Sequence, residues 1–363
     1  MTISASPHSR TQRPGAPDSS VLHSAPPQSR TPLSRKALVL LVLVVILVVV
    51  LLSSVAIGAR FIALPSVLDA LAHLSQSDGG DWDVVHERIP RTVAGLLVGA
   101  SLGLAGTGMQ GVARNPLADP GILGVNAGAA LAVIIAVVFF GAGTVSGYIW
   151  FAFIGAAIAA VVVYAVASLG REGATPVKLA LAGAALTAGL GSLLNGLLVT
   201  NQDALSSFRN WQVGSLVSKN WDQILSVLPF MLLGMIILLC TGRVLNGLAL
   251  GDDLARGLGQ NPALGRSISA IGVVLLCGSA TAVAGPIGFI GLIVPHLLRA
   301  LIGTDYRWLL PYSVITAPIV LIAADVLGRV VLLPGEVPAG IISVMIGAPV
   351  FIWLVRKRKA VTL

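Results

Sequence analysis

The sequence predicts an all-α protein that crosses a membrane many times, and three observations predict it. Of 363 residues, 56% are hydrophobic and only 10% charged, against about 25% charged in a soluble domain, so a water-facing surface of ordinary size cannot be covered. The mean hydropathy of +0.92 excludes disorder for most of the length, since chains stay unfolded when hydrophobicity is low. The apolar residues fall in continuous runs of roughly twenty, the length that crosses a ~30 Å hydrocarbon core as helix, and not in the short alternating segments of a barrel.

From the N-terminus, residues 1–36 are rich in Pro, Ser, Arg and Gln and end in Ser34-Arg35-Lys36. They hold almost nothing that forms a core and read as a disordered cytoplasmic tail. Ala37 to Gly58 is longer than a signal-peptide core, follows a long leader and precedes more spans, which makes it a membrane anchor and the first helix. Further spans read at 93–112, 121–141, 148–169, 179–200, 223–245, 263–284, 286–301, 308–331 and 340–355, about ten in all. The shortest, around Ile287 to Leu301, contains Pro295 and ends in His296 and Arg299, as a broken or partial crossing does. The transmembrane domain therefore covers 37–359, with a cytoplasmic loop near 246–262 and a short tail at 360–363.

An even number of spans puts both termini on one side, and the closing run Arg356-Lys357-Arg358-Lys359 makes that side the cytoplasm. Arg114, Arg171, Lys178, Arg243, Arg256, Arg266, Arg299 and Arg307 then also fall inside, whereas only Arg60, Arg88, Arg91, Arg209, Lys219 and Arg329 fall outside. The net charge of +8 is accounted for by this bias and is not a nucleic-acid surface. Cys240 and Cys277 lie in apolar runs at opposite depths, so no disulfide framework is expected. In this topology 91–120 runs inward and 266–295 outward, both rich in Gly, Ala and Ser with breaks near Pro, the relation of an inverted repeat.

Gly95, Gly99 and Gly103 recur at spacings of four, which lets helices approach closely in lipid and reads as packing. Gly106 to Gly111 matches GxGxxG but ends a membrane helix and follows no strand, so it is not a dinucleotide site. Asp325 and Arg329 stand four apart near the outer end of the ninth span, where an intrahelical ion pair and a functional role are both open. No chain of intramembrane Asp, Glu and His forms a proton relay. The histidines make no HExxH and no Gly-Lys pair exists for a P-loop, so ATP, if used, is bound by another subunit. Nothing marks a metal-coordinating cluster.

The segment Arg88-Ile89-Pro90-Arg91, continuing through Gly99, Gly106 and Gln110 to Asn115-Pro116-Leu117-Ala118-Asp119-Pro120, resembles the permease subunits of ABC importers for ferric siderophores, haem and cobalamin, the FecCD type. Gly251 to Gly259, Gly285 to Arg299, Glu336-Val337-Pro338 and Gly347 to Phe351 resemble the same family, in the same order, so that the likeness covers nearly everything from residue 37 onward. The resemblance implies a bacterial cytoplasmic-membrane protein, a dimer of ten-helix subunits formed with a second copy or a paralogue, two cytoplasmic ATPases and an external binding protein. It implies that Arg88, Arg91 and Arg329 meet acidic residues of the binding protein, chemistry that suits a forked guanidinium. For the first two the bland alternative is interfacial snorkelling, and for Arg329 the pair with Asp325. It further implies that Gly251, Ala255, Arg256 and Gly259 form the loop that couples to the ATPase, and that Asn115 and Leu117, with Thr175 and Pro176, form a cytoplasmic gate. Pro176 departs from the small polar pair expected there.

The same resemblance implies ATP-driven alternating access with no chemistry performed, no cofactor bound by this chain and ATP used by the partner. It favours a ferric siderophore as cargo, with haem and cobalamin behind it. The rival of another class is an ion-coupled secondary carrier, which would transport without an ATPase; an intramembrane enzyme using Asp325 and His296 is more distant.

Overall fold

The computed structural model describes residues 33–74, 76–142, 144–169, 175–201, 205, 208–209 and 211–359. The predicted N-terminal tail up to Pro32 and the C-terminal tail 360–363 lie outside these residues. Among them run thirteen α-helices: α1 (Leu33–Ala56), α2 (Leu64–Ala72), α3 (Asp81–Val112), α4 (Val125–Phe140), α5 (Val145–Ala167), α6 (Pro176–Thr200), α7 (Trp221–Cys240), α8 (Gly242–Ala249), α9 (Asp252–Gly257), α10 (Pro262–Ala284), α11 (Ile290–Ile302), α12 (Tyr306–Val331) and α13 (Ala339–Lys359). A 3₁₀ turn, Pro120–Leu123, precedes α4. Seven helices are long and apolar enough to cross a membrane and three shorter ones are apolar, α4, α11 and α13 to Ile352. The predicted runs fall on these helices one for one. The chain is a multi-pass membrane protein.

Four features differ from the sequence reading. The helix expected from 93 begins at Asp81, so the Arg-Ile-Pro-Arg segment is helical and Pro90 lies inside α3. Charged Glu87, Arg88 and Arg91 depress hydropathy there, but packing on α1 and α12 overrides it. The chain between α1 and α3 contains α2, whose Val67 and Ala70 close a small apolar cluster with Val55, Ile62 and Val85. The stretch 246–262, expected as a cytoplasmic loop, is helical: α7 stops at Thr241, and α8 and α9 follow before α10 starts at Pro262, capped by Asn261 Oδ1 accepting from the Leu264 amide at 3.2 Å. The first span also begins at Leu33, four residues before Ala37.

α3 is the central post. It packs most extensively on α12 and next on α10, and is the most deeply buried of the long helices. The glycine spacing explains the approach. A Cβ at Gly99 would stand 2.6 Å from Pro318 Cα, one at Gly103 would overlap the Ala317 side chain, and one at Gly106 would overlap the Gly291 backbone. With backbones this close, Thr107 Oγ1 donates to Gly103 O at 2.9 Å and pairs with Ser313 Oγ at 2.6 Å, satisfying hydroxyls deep in the bundle. Leu104, Met109, Val273, Leu276, Leu309, Leu310 and Leu321 fill the core around this seam. α1 and α6 are the least buried. α1 presents a run of Leu and Val, as a lipid-facing helix does.

Candidate functional site

The charged groups of the chain gather at its two ends. At the outer end, Asp325 on α12 is 1% exposed and accepts from two guanidiniums at once. Arg91 gives it Nε and Nη2, each at 2.9 Å. Arg329, one turn on in α12, gives Nε at 3.0 Å and a further short contact through Nη2. Arg91 turns its remaining Nη1 to Glu336 Oε2 at 2.7 Å, in the turn before α13. The intrahelical Asp325–Arg329 pair read as open in the sequence therefore exists, inside a four-charge network that joins three segments.

Arg88 and Arg329 also close the end of α1. A helix terminus leaves its last carbonyls without partners. Here Arg88 Nη1 donates to Val55 O at 2.8 Å and Ala56 O at 3.0 Å, and its Nη2 to Arg60 O at 2.8 Å. Arg329 Nη1 donates to Ser54 O at 2.6 Å and Ile57 O at 3.2 Å. Gly58 leaves room for this, since a Cβ there would lie 2.5 Å from Arg88 Nη2.

The expected docking residues are placed differently. Arg329 is 2% exposed, enclosed by Asp325 and the α1 carbonyls, which it holds by hydrogen bonds. Arg88 and Arg91 line an outer cavity of about 600 Å³ together with Glu87, Lys219 and Glu336.

At the inner end the expected coupling residues divide. Gly251 and Gly259 have φ of 110° and 77°, conformations that favour glycine, and open space surrounds both. Arg256 is exposed and pairs with Asp253 at 2.9 Å. Ala255, also expected there, is fully buried against its own subunit. What α9 presents outward is Leu254, followed by Leu258 beyond its end.

Sequence reasoning missed Asp252, at the start of α9. Its carboxylate receives Arg266 of α10 at 2.7 and 3.1 Å and a short contact from Arg114, the residue before Asn115. One acidic group thus links the expected gate to the expected coupling segment. The signal available was two adjacent Asp at a helix start, a pattern that also serves ordinary dipole stabilisation.

At the residues expected to form a gate, Asn115 Oδ1 accepts from the Leu117 amide at 2.9 Å in a local turn, following Arg114 at φ 47°. Leu117 is exposed. Thr175 caps α6 by accepting from the Lys178 amide at 3.4 Å, and Pro176 opens that helix. Arg114 and Asn115 line an inner cavity of about 790 Å³ with Gln110, Arg243, Arg299 and Arg307. Arg299 Nη1 is tied to Gln110 Oε1 at 2.6 Å. Beside it, Arg307 and Asn246 both donate to Asp305, whose carboxyl is held well below the usual carboxylate range, chiefly by the Arg307 hydrogen bonds.

A helical multi-pass bundle with charged assemblies and cavities at both ends is an architecture that suits a membrane transport permease. The chain belongs to the FecCD transport family, which it matches over residues 45–357. It is 44% identical over 307 residues to the ferric enterobactin transport system permease protein FepD of Escherichia coli (strain K12), covering 84% of this chain and 91% of that one. It is 42% identical over 306 residues to the Fe(3+)-citrate import system permease protein YfmD of Bacillus subtilis (strain 168), covering 84% and 90%. The hemin transport system permease protein HmuU of Yersinia pestis is 36% identical over 311 residues, covering 84% and 90%. Among solved structures, a metal-chelate type ABC transporter in an inward-facing conformation aligns with a TM-score of 0.77 at 29% identity, over 89% of this chain and 99% of that one.

Proposed function

We propose that the chain is the membrane-spanning half of a bacterial cytoplasmic-membrane importer that takes up ferric siderophores, with a separate ATPase on the cytoplasmic side and an external binding protein. The observation that carries the cargo is the extended likeness to permeases named for ferric enterobactin and ferric citrate, at higher identity than to the hemin permease. Haem remains the second cargo on the strength of that hemin relative, and cobalamin stands behind it on family resemblance alone.

A second permease subunit, a copy or a paralogue, packs against α6 in this reading. That helix is apolar enough to span a membrane and yet exposes Thr187, Ser192 and Asn195 beside Gly189 and Gly196, around which there is open space. Polar groups facing lipid are costly, so such a face suits a partner helix or a water-filled path. The ten apolar helices cross the membrane with both termini in the cytoplasm.

In the transport cycle the loaded binding protein docks at Arg88 and Arg91. ATP binding in the partner subunits then acts on α9, where Leu254 and Leu258 and the open space at Gly251 and Gly259 suit insertion into a cleft. Asp252 passes this motion through Arg114 to Asn115 and Leu117, while Thr175 and Pro176 bound the gate on α6. The chain orients and admits its cargo and performs no chemistry on it.

The test is uptake of labelled ferric siderophore, ferric citrate, haem and cobalamin by cells with and without the chain, with an ATP-depleted control. Loss of ATP-dependent ferric-chelate uptake alone is the expected result. Loss of haem or cobalamin uptake instead keeps the machine and changes its cargo. Uptake that survives ATP depletion but collapses with the ion gradient would establish the secondary carrier in its place.

A further inference from the structure

The cations of the outer face differ in whether they already have a partner. Arg60 is paired with Asp81 at 2.7 Å. Arg88 commits its terminal nitrogens to three carbonyls of the α1 terminus and the chain after it. Arg91 is divided between Asp325 and Glu336, and Arg329 is enclosed. Arg209 is exposed and lies away from the outer cavity. Lys219 is different. It lines that cavity, is partly buried, and has no ion pair or hydrogen bond to its ammonium among the described residues.

The local structure places it there. The segment after Trp211 is pinned by Ser215 N donating to Ala284 O at 2.7 Å and Gly340 N donating to Gly214 O at 2.9 Å. The chain then reverses through Ser218 at φ 54°, a left-handed conformation. Asn220 fixes the next step by capping α7, its Oδ1 accepting from the Gln223 amide at 3.0 Å. Lys219 is held between these two constraints, in the wall of the cavity that Arg91 also lines.

We propose that the outer cavity receives one acidic side chain of the docking binding protein and that Lys219, outside the Arg-Ile-Pro-Arg segment, is the cation that pairs with it. This inference rests on the importer reading. The charged lining is Arg88, Arg91 and Lys219 against Glu87 and Glu336, an excess of one positive charge, and that excess is Lys219 itself, the member without a partner. A partly desolvated ammonium gains most from an incoming carboxylate, whereas Arg91 must first release Glu336. Burial pushes the Lys219 ammonium down to about 8.

The sign of the resulting pH dependence is fixed. Below about pH 8 Lys219 is charged and attracts the carboxylate; above it the lysine is neutral and the attraction is lost. With a free value of about 8, affinity falls about tenfold from pH 7 to pH 9 by one-proton linkage. The other charged groups facing the cavity, Glu87, Arg88 and Arg91 on α3 and Glu336 before α13, are carboxylates and guanidiniums, types that ordinarily titrate outside this window. Asp222, in the first turn of α7, is exposed and is also a carboxylate.

The experiment uses the permease assembled with its ATPase in nanodiscs and the host's binding protein for the transported chelate, purified on that chelate. Affinity is measured by interferometry from about pH 6.5 to 9.5 for wild type, K219R and K219Q, a range that brackets the lysine's titration. The expected result is a loss of about tenfold in wild type between pH 7 and 9, tight and pH-independent docking for K219R, and weak, pH-independent docking for K219Q. If K219Q binds like wild type with the same pH profile, the Lys219 assignment is overturned while the importer reading stands. If wild type shows no affinity at any pH, both fall together.

Discussion

Asp325 is the residue whose loss the structure makes most costly, and the cost follows from its neighbours. Its carboxylate is the counter-charge of two guanidiniums, one 12% and one 2% exposed. In Asp325→Ala, Arg91 keeps Glu336 and reaches enough water to be tolerated. Arg329 keeps only the carbonyls of Ser54 and Ile57 and the Ser54 hydroxyl, and becomes a buried cation without an anion. Breaking a buried pair in this way costs about 3–5 kcal/mol. Removing the stranded charge as well, in Asp325→Ala with Arg329→Met, recovers part of this, although it forfeits the α1 carbonyl contacts at about 1 kcal/mol each. The double variant is therefore expected to be more stable than Asp325→Ala by about 1–2 kcal/mol, on the same principle of removing an uncompensated charge. The assay is reversible unfolding in mixed micelles, followed by far-ultraviolet dichroism at low and high salt, with little salt effect because the network is out of reach of screening. An Asp325→Ala protein within about 1 kcal/mol of wild type, too small for a broken buried pair, or a double variant equal to the sum of its parts, would refute the reasoning.

Three further outcomes are expected. Gly106→Ala places a Cβ against the Gly291 backbone, which cannot yield, and lowers unfolding stability by about 1–3 kcal/mol, whereas Gly189→Ala, with open space around it, leaves the isolated subunit's stability unchanged in the same assay. Asp252→Asn frees Arg114 and Arg266 from their shared carboxylate, and is expected to abolish stimulation of ATP hydrolysis by the loaded binding protein while ATPase association, followed by co-purification, persists. Asp305 has its carboxyl held low, so its stabilisation is present above the ordinary carboxylate range and is lost as pH falls through the depressed value; Asp305→Asn should lower the melting temperature by the same amount from about pH 5 to 8, with the gap closing only below about pH 4.

The parts of the molecule legible in the sequence are those set by composition along one helix. Apolar runs name the membrane helices because lipid imposes a length, and Gly99 and Gly103 name their own seam because only a missing Cβ lets Pro318 and Ala317 approach. The start of α3 was hidden for the opposite reason. Its first turns carry Asp81, Asp83, Glu87, Arg88 and Arg91, which read as loop because the partners of Asp81, Arg88 and Arg91, namely Arg60, the carbonyls that end α1 and Asp325, lie elsewhere in the chain. The burial of Arg329 depends on Ser54 and Ile57, which stand 275 and 272 residues away, and no local pattern reports such a distance. Lys219 was visible only as an outside charge, since its lack of a partner is a property of the assembled cavity.

The two ends of the subunit are carried by the same two helices. α3 bears Arg91 at its outer end and Gln110 near its inner end, with Arg114 just beyond; α12 bears Asp325 and Arg329 outside and starts beside Asp305 inside. Between these ends Gly99 and Gly103 press on Pro318 and Ala317, and Thr107 is bonded to Ser313, so there is no slack for one helix to slide on the other. In the proposed cycle α3 and α12 are therefore expected to move together. A switch needs an element with two tolerable arrangements, and the exposures distinguish the two acidic hubs. Asp325 is 1% exposed, so water cannot replace a partner it loses. Asp252 is 30% exposed and shared between Arg266, which is buried, and Arg114, which is 29% exposed, so Arg114 is the partner that can leave and be hydrated. The Asp325 network is then the rigid one and the Arg114–Asp252 pair the looser one, and in the proposed cycle a gating motion is expected at the looser pair.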